Sequence, residues 1–165
     1  MKAGPSEPQV RGGPIDGVIL KPVAVWQDKR GWLAEFFRSD EADPSIFPAM
    51  GYVSMTLPGV ARGPHEHRDQ TDWFCFMGPS RFRVSLWDAR SGSPTRGMKM
   101  AVDIGEGMPG ILVVPPGVIH AYRNIGLVDG LVYNCPNRLY AGPGRREPVD
   151  EIRHENEPGS PYEPE

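Results

Sequence analysis

Three of the four histidines stand in two short segments bounded by Gly and Pro, and their spacing is the first chemical signal in the chain. The first segment reads Arg62-Gly63-Pro64-His65-Glu66-His67-Arg68-Asp69-Gln70-Thr71-Asp72. Side chains two apart on an extended chain leave from one face, so His65 and His67 can reach a common point inside a barrel. The second segment, Pro115-Pro116-Gly117-Val118-Ile119-His120, supplies a third imidazole. Imidazoles titrate near neutrality and can move protons. Joined by the Asp72 carboxylate they also form a ligand set for Fe(II), Mn(II), Ni(II) or Zn(II) with positions left open. A plainer role for Asp72 is to cap a turn or pair with Arg68 or Arg81. His154 has no partner motif and reads as a surface residue.

The elements that must hold these groups are strands. The runs 17–26, 32–37, 51–57, 73–77, 82–87, 97–104, 110–114, 121–125 and 131–135 are rich in Val, Ile, Phe, Trp and Tyr and are separated by Gly and Pro. Within Arg81-Phe82-Arg83-Val84-Ser85-Leu86-Trp87 the two-residue period predicts Phe82, Val84 and Leu86 facing inward. Residues 40–50 alone can form a short helix or helical turn. About nine strands without strand–helix alternation predict an all-β antiparallel sandwich or barrel. At 165 residues the chain has room for one core. Gly and Pro, 20 and 19 in number, concentrate at the two ends, which sets a flexible tail at 1–16, a barrel domain at 17–154 and a second tail at 155–165.

Charge excludes some partners. The balance of 18 Lys+Arg against 21 Asp+Glu gives no basic excess for a phosphate backbone, so nucleic acid is not expected. No run approaches the roughly 18 apolar residues of a membrane span, and MKAGPSEPQVRGGP lacks the apolar core of a signal peptide, so a cytoplasmic, membrane-free protein is expected. Cys75 and Cys135 sit in apolar segments and read as free thiols.

The two histidine segments resemble the paired motifs of the cupin superfamily, a jelly-roll or double-stranded β-helix barrel. Gly59 precedes His65 by six, Asp72 follows His67 after four residues where Glu is usual, and Pro115-x-Gly117 leads to His120 and Asn124. Within the cupins, the chain from about Gly17 to Pro158 is similar to the dTDP-4-dehydrorhamnose 3,5-epimerases. The similarity is carried by Asp28-Lys29-Arg30-Gly31 ending in Glu35, Arg62-Gly63-Pro64-His65, and Asp88-Ala89-Arg90 with Ser93-Pro94-Thr95. Further along it is carried by Pro115 to His120, Tyr133-Asn134-Cys135, and Tyr140 with Pro143.

That resemblance implies an enzyme of deoxysugar biosynthesis, free of metal and cofactor, that removes and returns protons beside the ketone of a nucleotide-linked 4-keto-6-deoxyhexose. It implies His65 as base, His120 as a second cavity histidine and Tyr140 as proton donor. Arg62 is implied at the diphosphate, with His67 and Tyr133 also in the substrate site. Trp26, Arg30 and Glu35 are implied to grip the nucleotide across a homodimer; read from composition alone, Trp26 is a core aromatic and Arg30 with Glu35 a surface pair. The chain departs from the family at three places. There is no lysine between Lys29 and Lys99, where the family carries an enolate-stabilising lysine and this chain reads Thr71-Asp72. Pro136 to Tyr140 carries an extra residue, and the carboxylate that partners the base is represented by Glu155 or Asn156. His67 in place of the family's Gln, together with Asp72, supports the alternative of a metal-dependent cupin in which His65, His67, Asp72 and His120 ligate a divalent transition metal. A second alternative is a silent sugar-nucleotide-binding homologue.

Overall fold

The computed structural model describes residues 6–165, leaving the first five residues of the expected N-terminal tail outside the described part. Apart from two single 3-10 turns, regular structure among the described residues is entirely β. The strands are β1 (Gln9–Gly12), β2 (Ile19–Pro22), β3 (Val25–Asp28), β4 (Gly31–Ala34), β5 (Tyr52–Thr56), β6 (Ala61–Glu66) and β7 (Asp72–Phe76). They continue as β8 (Arg81–Asp88), β9 (Lys99–Gly105), β10 (Gly110–Val114), β11 (Val118–Asn124), β12 (Gly130–Asn134) and β13 (Ile152–Arg153). A six-stranded sheet in the order β1-β9-β8-β11-β6-β13 faces a five-stranded sheet in the order β2-β10-β7-β12-β5, and β3-β4 forms a separate hairpin. All pairings are antiparallel, which is the jelly-roll expected of a cupin.

The period of two decides what faces where. Phe82, Val84 and Leu86 on β8 are buried between the sheets with Phe74, Phe76, Val102, Ile104, Leu112, Val114 and Val132. Tyr122 sits edge-on to Phe74, Phe76 and Phe82 at 5.7 to 5.9 Å, closing this apolar floor. Each fully buried aromatic or aliphatic side chain contributes roughly 1.5–3 kcal/mol, so the floor is the main anchor of the two sheets. On the outer face of the five-stranded sheet a second cluster joins Trp73, Cys75, Ile111 and Val113 to Phe36, Phe37 and Tyr133.

Several sequence expectations change. The run 17–26 divides into β2 and β3 where the Val23 amide turns aside to the Pro109 carbonyl. Residues 40–50 yield only one 3-10 turn at Pro44–Ile46, capped by the Asp43 side chain on the Ser45 amide. β1 lies in what composition assigns to a tail, because Val10 and its neighbours pair with the β9 edge. The 155–165 segment also packs on the barrel: Tyr162 lies 5.7 Å from Trp87 and 5.1 Å from His154, and Glu165 pairs with Lys99 at 3.0 Å. His154 is therefore buried rather than a surface residue, bonded to Glu66 at 2.9 Å and Glu157 at 3.2 Å. Gly/Pro content alone cannot report this, since the holding groups are far away in sequence.

Candidate active site

The two histidine segments meet because β6 and β11 are neighbours, with His120 directly opposite His65. They are also tied end to end: the Gly117 amide donates to the His67 carbonyl at 2.8 Å. Along β11, Val118, His120, Tyr122 and Asn124 face inward, and Asn124 spends its amide on the Thr56 and Val128 carbonyls, each at 2.8 Å. The motif Asn is thus a structural clamp, whereas His120 joins the histidine cluster.

Four side chains converge as expected. Ligand atoms of His65, His67, Asp72 and His120 lie within 4.8 Å of one another. The His65 and His120 rings are 4.5 Å apart, and His65 to His67 is 5.5 Å. Asp72 opens β7 and points inward at 1% exposure, so it neither caps a turn nor pairs with Arg68 or Arg81. Its Oδ1 accepts from Gln70 at 2.9 Å and Asn134 at 2.8 Å, and its Oδ2 faces His67 Nε2 at 3.1 Å and His120 Nε2 at 3.3 Å. Burial pushes the carboxyl up, but His120 and His67 prevail and hold it well below the usual range. Burial, with His120 and His67 alongside, pushes His65 down to about 2, so it is a neutral ring at physiological pH. For His67 burial works downward, but Asp72 and the Asp150 carbonyl prevail and hold it up at about 9.

A cavity of about 1210 Å³ opens onto His65 and His67. Arg62 lines it, with Nε on Thr56 Oγ1 at 3.0 Å and one Nη on the Met55 carbonyl at 2.8 Å. Tyr140 also lines it and is half exposed. Residues the sequence did not flag complete it. Ser54 and Tyr122 share a hydrogen bond at 3.0 Å, and Tyr52 accepts from Asn134 at 3.0 Å. The Asp150 carboxylate collects the amides of Arg68, Asp69 and Gln70, each at 2.9 Å, fixing the turn after His67. The alternation of β5 and β12 was the available signal for Tyr52, Ser54 and Asn134.

Other expected positions lie elsewhere. Tyr133 faces the outer sheet surface, stacked on Phe36 at 6.2 Å, because its neighbours Val132 and Asn134 take the inward places. Trp26 is exposed rather than a core aromatic, and with Glu35 it borders a separate hollow of about 340 Å³ outside the barrel. Arg30 folds back on Asp28, and Glu35 lies 3.7 Å from Arg38, so Arg30 and Glu35 do not pair. Within one chain, none of these three reaches the large cavity. Glu155 lines the cavity but pairs with Arg153 at 3.9 Å, and among the described residues no carboxylate hydrogen-bonds His65.

A jelly-roll with histidines, an arginine and tyrosines at the mouth of its barrel defines a small-molecule enzyme of the cupin type. Residues 13–147 match the family model for dTDP-4-dehydrorhamnose 3,5-epimerase, and the chain belongs to that family. It is 39% identical over 128 residues to "Probable low-salt glycan biosynthesis epimerase Agl13" of Haloferax volcanii, covering 76% of this chain and 81% of that protein. It is 38% identical over 113 residues to the spore coat polysaccharide biosynthesis protein SpsL of Bacillus subtilis, covering 68% and 73%. The fold matches a dTDP sugar isomerase of Desulfovibrio desulfuricans at a TM-score of 0.77 and 24% identity, covering 90% of this chain and 91% of that one. The protein is a carbohydrate epimerase of a family that works on nucleotide sugars without a cofactor. No helix among the described residues is long and apolar enough to cross a membrane.

Proposed function

We propose that this chain epimerises a dTDP-4-keto-6-deoxyhexose by removing and returning a proton beside the ketone, with His65 as base. The observation that carries this reading is His65 itself, a largely buried imidazole at the inner end of a large cavity whose rim offers Arg62 and Tyr140. An uncharged ring in register with His120 can accept a proton from a carbon acid. Arg62 offers a planar cation for the diphosphate, held in place by Thr56 and the Met55 carbonyl. Tyr140 returns the proton to the other face, and His120 supports the sugar end. Where the family carries its lysine this chain has Thr71-Asp72, with Asp72 paired to His67.

The nucleotide end is completed by a second copy of the chain. Trp26, Trp32 and Leu33 on the β3-β4 hairpin are exposed and fit a homodimer that presents Trp26, Arg30 and Glu35 to the partner's cavity. Both cysteines are free, which fits a reducing, cytoplasmic setting.

Deuterium uptake into dTDP-4-keto-6-deoxyglucose in heavy water tests the reading. Wild type incorporates deuterium beside the ketone, and His65→Gln loses that incorporation while still binding dTDP. Undiminished exchange by His65→Gln, or none by wild type, rejects it.

A further inference from the structure

On the wall facing His65, one hydroxyl hydrogen is left uncommitted. Tyr52, Asn134 and Asp72 lie on β5, β12 and β7, neighbouring strands of the five-stranded sheet, whereas His65 belongs to the six-stranded sheet. Asn134 is directly opposite Tyr52 in the β12–β5 ladder, so both side chains take the same, inward face. The Trp73 amide donates to Asn134 Oδ1 at 3.1 Å. A backbone N–H can only donate, so this bond fixes which end of the Asn134 amide is oxygen and which is nitrogen. The Nδ2 hydrogens then go to Asp72 Oδ1 at 2.8 Å and to Tyr52 Oη at 3.0 Å. Tyr52 is thus held as an acceptor, and among the described residues nothing takes its own hydrogen, which is left for whatever fills the cavity. A hydroxyl that accepts one bond becomes a better donor in the next. Burial, against the Asn134 bond, pushes Tyr52 up to about 12, so the phenol keeps its proton. Other polar groups near the base are spent within the protein. His67 meets the Asp150 carbonyl and Asp72, Gln70 gives its amide to Asp72, and Ser54 and Tyr122 bond each other.

We propose that Tyr52 is a catalytic residue of the epimerisation, donating its hydroxyl hydrogen to the ketone oxygen of the sugar in place of the family's enolate-stabilising lysine. The inference rests on the epimerase reading. As His65 takes the proton, the carbon–hydrogen pair becomes a carbon–carbon double bond and the carbonyl π pair moves onto oxygen. The hydrogen bond from Tyr52 strengthens as that charge appears, which lowers the barrier. Tyr52 keeps its proton throughout, and return of a proton to carbon reverses both electron movements. A sugar ring lying between the sheets meets its base from one wall and the donor to its oxygen from the other.

The test follows deuterium uptake and epimerised product together, with the full chain and dTDP-4-keto-6-deoxyglucose in heavy water. Tyr52→Phe, which removes only the oxygen, is expected to lower both about a hundredfold or more in equal proportion, with KM and dTDP affinity within about threefold of wild type. Tyr140→Phe differs: uptake persists while product falls, because Tyr140 acts after the enolate has formed. Placing 3,5-difluorotyrosine at position 52 keeps the ring and the donor but makes the phenol more acidic, so uptake survives and its alkaline decline moves to lower pH. That chain decides the matter even if Tyr52→Phe folds poorly. Full-rate uptake by Tyr52→Phe, or an unmoved alkaline limb in the fluorinated chain, overturns the role of Tyr52 and leaves the epimerase reading intact. Product lost with uptake unchanged, or KM raised at full kcat, overturns it as well, since Tyr52 would then protonate carbon or merely bind. No uptake by wild type overturns the epimerase reading itself and this inference with it.

Discussion

Arg62, exposed, and His154, buried, show how differently two polar side chains can serve one barrel. Arg62 is fixed by one hydroxyl and one carbonyl, which leaves its guanidinium edge free for an anion. Arg62→Ala is expected to raise KM for the sugar nucleotide roughly tenfold or more with a smaller change in kcat, because a charge-assisted bond contributes about 1.5–3 kcal/mol. Steady-state kinetics showing the loss in kcat alone would remove the diphosphate role. His154 instead holds the C-terminal segment to β6 through Glu66. Burial lowers its pKa, but Glu66 and Glu157 outweigh burial and raise it above its ordinary value. A raised folded pKa gives stability fully present below about pH 6.5 and lost as pH climbs through the folded value. The Tm gap between wild type and His154→Gln should therefore be widest in mild acid and shrink toward alkaline pH; a gap constant with pH would contradict the pairing. His65, His67, Asp72 and His120 were legible from their spacing within two short Gly/Pro-bounded segments, not from apolar alternation. His154 was not, since its partners Glu66 and Tyr162 come from segments that only the tertiary fold brings near.

Strand β6 was the least legible element and is the most demanding. It carries Arg, Gly, Pro, His and Glu, so it lacks the apolar alternation of a strand, because its inner face lines a polar cavity rather than the core. Its pairing to β11 depends on Gly63, whose φ is +82° and whose missing Cβ would lie 2.6 Å from the His120 carbonyl. Gly63→Ala should cost about 1–3 kcal/mol from the backbone conformation alone, with the clash adding to it and displacing His65 from His120. Gly92→Ala, with open space and no unusual φ, should stay within about 0.5 kcal/mol in the same denaturant titration. Equal effects at the two glycines would rule out close packing as the cause. The β3-β4 hairpin was legible in its strands but not in its exposure. Trp26 reads as a core residue until the hairpin proves to stand apart from both sheets.

For the molecule as a whole, the all-β class was legible because apolar strands and Gly/Pro turns alternate along the chain, whereas the ends were misread as tails. Tyr162 covers Trp87 beside Ile119 and Ala121 on the outside of the six-stranded sheet. Tyr162→Ala should lower stability by about 1–2 kcal/mol in thermal or denaturant melts while leaving ligand binding unchanged. A loss of binding instead would mean that this outer layer reaches the cavity. Trp32→Glu, on the exposed hairpin, should yield monomers in sedimentation if the homodimer forms as proposed, and an unchanged mass would place the interface elsewhere. The cavity wall has its own division of labour. Its inner surface belongs to paired strands, but the outer rim, from Pro136 through Tyr140 and Arg145 to Glu151, is one continuous stretch between β12 and β13, moored by Asp150. A segment attached so locally can be exchanged or lengthened without repacking either sheet. Substrate range and barrel stability can then be inherited separately, so relatives that keep the same histidines can accept different sugars by rewriting little more than this rim.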